Sequence, residues 1–114
     1  MQDFYDVIKS LANGEVYALI APQDAQYPAI VYTPIVQEHI FGLDGPKVSG
    51  GLQRIRVQVD TYARTYQEAL ALQDLVLDAL LADMSTVADV RMGLTSFEEQ
   101  ARLYRVSVDY TYHR

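Results

Sequence analysis

From Leu52 to Tyr62 apolar and polar residues alternate without a break. Ile55, Val57 and Val59 fall on one side, and Arg54, Arg56, Gln58 and Asp60 on the other. A period of two predicts a strand with one face on a core and the other in water. A few residues later the period changes. Leu72, Leu75, Val76, Ala79 and Leu80 recur at helical spacing, with Leu70, Leu77 and Leu81 as a second apolar row beside them. Thr65 and Glu68 have capping-box spacing, the hydroxyl meeting one free amide of the first turn and the carboxylate another. The helix they open runs to about Asp83 and leaves only a narrow polar arc around Gln67, Asp74 and Asp78. One sheet rarely covers so wide an apolar surface, so either another helix or another subunit packs beside it.

The rest of the chain reads by the same rules. Phe4, Val7, Ile8 and Leu11 predict a short helix over residues 2 to 12, stopped by Asn13-Gly14. Residues 15 to 28 hold Pro22 and Pro28 among polar residues and read mostly as loop, with a brief turn near Tyr17 to Ala21. Ala29 to Phe41 is strand-like, and Pro34 within it, which cannot donate a ladder hydrogen bond, implies an edge or a bulge. Residues 87 to 97 and 103 to 113 form a further strand pair joined through Glu98-Glu99-Gln100. Between the first two strands lies Gly42-Leu43-Asp44-Gly45-Pro46-Lys47-Val48-Ser49-Gly50-Gly51, with four of the six glycines. Its composition predicts a mobile connection that orders only against a neighbour.

The resulting order is helix, strand, strand, helix, strand, strand. It predicts one α+β domain over residues 1–114, in two layers: a mainly antiparallel four-stranded sheet with both helices on one face. The phrase Arg-Val-x-Val-Asp occurs twice, at residues 56–60 and 105–109. Pairing those strands with Gln58 opposite Ser107 sets Arg56 against Asp109 and Asp60 against Arg105, two attractive crossings on the wet face. The strand order is then 1-2-4-3, with the Pro34 strand at an edge.

Composition narrows the chemistry. Half of the 114 residues are hydrophobic and there is no cysteine, which removes disulfides, thiolate metal sites and thiol catalysis. The formal charge of −6 argues against wrapping nucleic acid, which needs clustered Lys and Arg. No apolar run reaches the ~18 residues of a membrane span, and the first ten residues lack a signal-peptide layout. Gly42-x-x-Gly45-Pro46-Lys47 lacks the full phosphate-loop spacing and the hydroxyl residue after the lysine. His39 and His113, the two histidines, stand at no metal-ligand spacing. Asp60 and Asp109 read more simply as cross-strand partners than as paired catalytic carboxylates. The residues alone therefore predict an acidic α+β domain without a catalytic site or cofactor, suited to assembly or binding.

Three segments carry a family resemblance: YPAIVYT at 27–33, GLQRIRVQVDTYARTYQEALAL at 51–72, and YRVSVDYTYHR at 104–114. With their order and spacing, they resemble the tail-completion, or tail-to-head joining, proteins of long-tailed bacteriophages and prophages. Most specific is the junction at which a V-x-V-D-x-Y-A strand end leads into a T-Y-x-E-A helix start.

The resemblance implies a tail terminator rather than an enzyme. Such a protein forms a ring, typically of six subunits, on the head-proximal end of the tail tube. It meets the tube protein on one side and the head–tail connector on the other, and lets DNA pass without specific binding. It is made in the host bacterial cytoplasm and ends in the virion tail. On that basis residues 42–51 form an assembly loop, and Leu70, Leu77 and Leu81 lie nearer a subunit boundary. Asp74, Asp78, Glu98 and Glu99 line or approach the channel, where like charge gives DNA phosphates nothing to grip. Two alternatives stay open: a connector adaptor or stopper, and a small ligand-binding α+β oligomer. A deep cleft holding Asp60 and a histidine would favour the last.

Overall fold

The computed structural model describes residues 2–40, 52–83 and 87–113, with side chains for 4–35, 54–82 and 89–112. The elements are α1 (Gln2–Ile8), a 3-10 turn (Leu11–Gly14), β1 (Val16–Ala18), β2 (Ala29–Ile40), β3 (Leu52–Ala63), α2 (Tyr66–Asp83), β4 (Val87–Glu98) and β5 (Leu103–His113). One sheet runs in the order β1-β2-β3-β5-β4. The expected four-stranded 1-2-4-3 sheet is thus corrected to a five-stranded mixed one. Val16–Ala18, read as loop, pairs parallel with Ile30–Tyr32, while the other three ladders are antiparallel. Three residues are too few for a period of two to show. A parallel neighbour also needs a crossover, and here residues 19–28 supply it.

The Pro34 strand is therefore internal where β1 covers it. Pro34 lies just beyond that cover, and the ladder to β3 shifts register between Pro34 and Val36, a bulge that accommodates the missing donor. The 42–51 connection, with the assembly role expected of it, lies outside the described residues.

Both helices cover one face. Ala69, Leu72, Gln73, Val76 and Leu80 of α2 are buried against β3 and β5. The first helix, shorter than expected, inserts Phe4 and Ile8, both fully buried. Phe4 stacks on Tyr112 with centroids 5.8 Å apart and meets Tyr32 at 5.9 Å. Tyr5, Val7 and Leu11, with Leu70 and Leu77 of α2, pack partly buried against this core. The wide apolar surface of α2 is thus shared with α1. Leu75, expected in the main stripe, is 51 % exposed, and its place facing the sheet is taken by Gln73. At the helix start, the Glu68 amide donates to the Thr65 hydroxyl at 3.1 Å, the first half of the expected box.

The β3–β5 register differs from the expected one by two residues. Gln58 faces Asp109, Asp60 faces Ser107 and Tyr62 faces Arg105. A shift of one would exchange the faces of the strand, but a shift of two keeps Val57, Val59, Val106 and Val108 on the helix side. What it adds is cover for Tyr110 and Tyr112, each 1 % exposed, opposite Val57 and Ile55. Arg56 still reaches Asp109, now on the diagonal, at 2.7 Å. That pair is partly exposed and contributes ~0.2–1 kcal/mol. Asp60 is the larger departure. Expected on the wet face, it is 6 % exposed, and it accepts hydrogen bonds from the Ser107 hydroxyl and from Gln58 Nε2 at 3.1 Å.

A polar node sits between α2 and the centre of the sheet. Gln73 Nε2 donates to the carbonyls of Val59 at 2.7 Å and Val106 at 2.9 Å, and Gln73 Oε1 accepts from the Tyr110 hydroxyl at 2.9 Å. Beside it, the Thr61 hydroxyl donates to the Ala69 carbonyl at 2.8 Å. Burial pushes the Tyr110 phenol above its ordinary value, and the charge of Asp74 acts in the same direction. An acid whose folded pKa is raised contributes its full stability below the unfolded value, about 10 for a phenol, and loses it as pH climbs toward the folded value. Unfolding free energy should therefore fall above about pH 10. Tyr110→Phe should make that fall shallower, as read by urea titrations across the alkaline range. Tyr62, also raised chiefly by burial, keeps some of it in the variant.

Candidate assembly surfaces

On the face away from the helices, the crossover of residues 19–28 covers one end of the sheet. Val31, Asp60 and Leu103 are buried there, and the Tyr27 ring lies edge-on to Tyr62 at 6.4 Å. Between crossover and sheet is an open cleft of about 460 Å³, lined by Leu19, Tyr27, Asp60, Tyr62, Glu98 and Arg105 among others. It contains Asp60 but no histidine. The Asp60 carboxylate is already engaged by Ser107 and Gln58, which holds the strands in register and leaves it poorly placed as a base.

Arg105 crosses the cleft next to Tyr62, whose hydroxyl stabilises the guanidinium and raises its pKa further. It comes within 4.0 Å of Glu98 and does not pair with Asp60 as expected, because the register puts Tyr62 opposite it. Its Nε and the hydroxyl of its cross-strand partner Ser96 are buried without hydrogen-bond partners. Among the described residues no group of three or more His, Cys, Asp or Glu is placed to hold a metal ion, and no helix is long and apolar enough to cross a membrane.

The acidic residues expected around a channel fall in two places. Asp74 and Asp78 are exposed on the outer side of α2, next to Leu75 and Leu81, which are 51 and 57 % exposed. Glu98 and Glu99 are exposed at the turn between β4 and β5. Of the three leucines expected near a subunit boundary, Leu81 is exposed, whereas Leu70 and Leu77 lean against the core.

The surface that the sequence did not announce is β4. The helices pack on β3 and β5, and in the last strand every residue from Asp89 to Glu98 except Ser96 is exposed. Val90, Met92, Leu94 and Phe97 are 40, 63, 71 and 46 % exposed. Its ladder to β5 breaks register between Met92 and Thr95. Gly93 lies in the break, where a Cβ would come within 2.9 Å of the Ser107 carbonyl oxygen, so any side chain there forces the strands apart. The sequence of residues 87–97 reads as a strand. It cannot reveal that no helix covers it, because that depends on where α2 crosses the sheet.

A family model described as tail completion protein gp17 matches residues 6–112, nearly the whole chain. No curated protein matches it in sequence. Among solved structures, a chain from the virion of a native gene transfer agent particle is similar in fold. Its TM-score is 0.51 at 13 % identity, covering 96 % of this chain and 82 % of that one. The chain belongs to the phage tail-completion protein gp17 family, and its role is that of a structural component of tail assembly.

Proposed function

We propose that this protein closes the head-proximal end of a phage or prophage tail as a ring of six copies, joining tail tube to head–tail connector around a channel for DNA. The family match over residues 6–112 carries this reading. A fold shared with a chain of a gene transfer agent virion agrees with it. Electron microscopy of particles made without the protein tests it. Full heads lying apart from tails of wrong length are the expected result. Tails of normal length beside leaking heads would instead mark an adaptor or stopper.

Charge gives the reading a second consequence. Six copies carry a formal charge of about −36. A wall of that sign repels phosphates, which suits a passage and not a grip. With Asp74, Asp78, Glu98 and Glu99 turned toward the hole, changing all four to lysine should leave the melting temperature within a few degrees, because all are exposed. DNA ejection through finished tails should slow or stop. Ejection at the ordinary rate, timed by dye release from purified particles, would place the acidic side chains elsewhere.

A further inference from the structure

We infer that the two edges of the sheet are the two halves of one subunit contact. In this contact β4 of one copy docks against the β1–β2 edge of a second copy, extending the sheet from subunit to subunit. The inference rests on the ring reading and names the surface that makes the ring.

One half is the outer edge of β4, twelve residues bonded on one side only, to β5. Folded proteins protect such edges with short strands, prolines, charged side chains or bulges, and β4 carries two register breaks, at Val87–Asp89 and Met92–Thr95. This strand is long and has no proline, and Asp89 and Arg91 neutralise each other at 3.0 Å. The other half is the edge at β2. There β1 covers only Ile30–Tyr32, and Thr33 to Ile40 has no outer strand partner among the described residues. Just past β1, Leu19 and Ile20 stand 66 and 79 % exposed.

The rungs of the sheet match these halves. Met92 pairs with Val108, Val108 with Val59, and Val59 with Tyr32, whose carbonyl accepts the Leu19 amide at 2.9 Å. The exposed Met92 therefore stands at the level of the exposed Leu19 on the opposite edge, and Leu94, between the Met92 and Thr95 rungs, stands level with Val31 and its β1 partner Tyr17. By the same chain Arg91 is level with Thr33, through Asp109 and Gln58. The Val87–Arg91 half of β4 thus lies level with the uncovered half of β2. Where β4 must step outward around the neighbour's β1, its own register breaks, between Met92 and Thr95, and a bulge bends a strand.

Direction identifies the partner as a second copy. The strands β2, β3, β5 and β4 alternate in direction, so β4 runs opposite to β2. A copy rotated about an axis along the strands brings its β2 beside β4 antiparallel, as neighbouring strands in this sheet already pair. A foreign strand would satisfy one edge; a second copy satisfies both, and such a head-to-tail contact makes a ring when its rotation closes the circle.

The chain has no cysteine, so introduced thiols report the contact without background. A chain carrying both Thr33→Cys and Arg91→Cys should give a ladder of covalent oligomers on oxidation, while each single variant stays uncrosslinked. In parallel, Leu94→Lys should keep the wild-type melting temperature but raise the concentration for half-assembly at least about tenfold, read by native mass spectrometry, because it buries an unpaired charge. Dimers from Arg91→Cys alone would mean that β4 pairs with β4 and would overturn the inference. Wild-type rings with no cross-link in the double variant, or with Leu94→Lys assembling normally, would overturn the edge assignment and leave the ring standing. A wild-type chain monomeric at its highest soluble concentration, with no cross-link, would overturn both.

Discussion

Replacing Gln73 with leucine should lower the unfolding free energy by about 1–3 kcal/mol, although leucine matches the buried surroundings in polarity and nearly in size. The loss comes from what the amide leaves behind. The Tyr110 hydroxyl would be buried without its partner, while the Val59 and Val106 carbonyls would keep their ladder donors on the paired strands and lose only a second one. The orphaned hydroxyl costs ~1–3 kcal/mol. Against a total stability of about 5–15 kcal/mol for such a domain, that is a sizeable share, and the melting temperature should drop by roughly 5–15 °C. Urea titration should show an earlier midpoint with an unchanged slope. Tyr110→Phe, which strands only Gln73 Oε1, should cost less. The two changes together should cost less than their sum, because they break the same bond. Full additivity would mean that the node is not a unit.

Phe4→Ala should be more damaging, at ~3–5 kcal/mol. The ring is fully buried between Tyr32 and Tyr112 and belongs to a helix of seven residues, too short to stand alone. Losing it removes both the aromatic contacts and the anchor that holds α1 on the sheet. Leu75→Ala and Leu81→Ala, on the exposed side of α2, should stay within ~0.5 kcal/mol by the same titration. A small loss for Phe4→Ala would show that α1 contributes little to the core.

What could be read beforehand followed from period and length. The alternation of β3 and the Thr65 start of α2 are local patterns repeated over many residues, and they stand as written in the sequence. The three residues of β1 are too few to carry a period, and their pairing is decided by Ile30–Tyr32, more than ten residues away. Gln73 looked like part of no pattern. Its placement is legible only once the Val59 and Val106 carbonyls are known to lie beneath the helix. Asp60 follows an unbroken polar row, and nothing in that row tells that the crossover will bury its end. The exposed β4 edge was hidden for the same reason: strand composition is local, whereas cover comes from elsewhere in the chain.

The two-residue register shift also gives the folding chain a competitor. Because the same five-residue phrase stands on β3 and β5, aligning the copies symmetrically brings opposite charges together and buries the same valines. That arrangement is a near-native decoy, separated from the true one by Tyr110, Tyr112 and the Ser107–Asp60 bond. Those discriminating contacts span 47 residues between Asp60 and Ser107 and form only after α2 has been bridged. Charge alone therefore does not select the native alignment; tyrosine burial and the buried polar bonds do. Gln73 then serves as a proofreader: its amide meets the Val59 and Val106 carbonyls and the Tyr110 hydroxyl together only when the strands have slid into the native alignment.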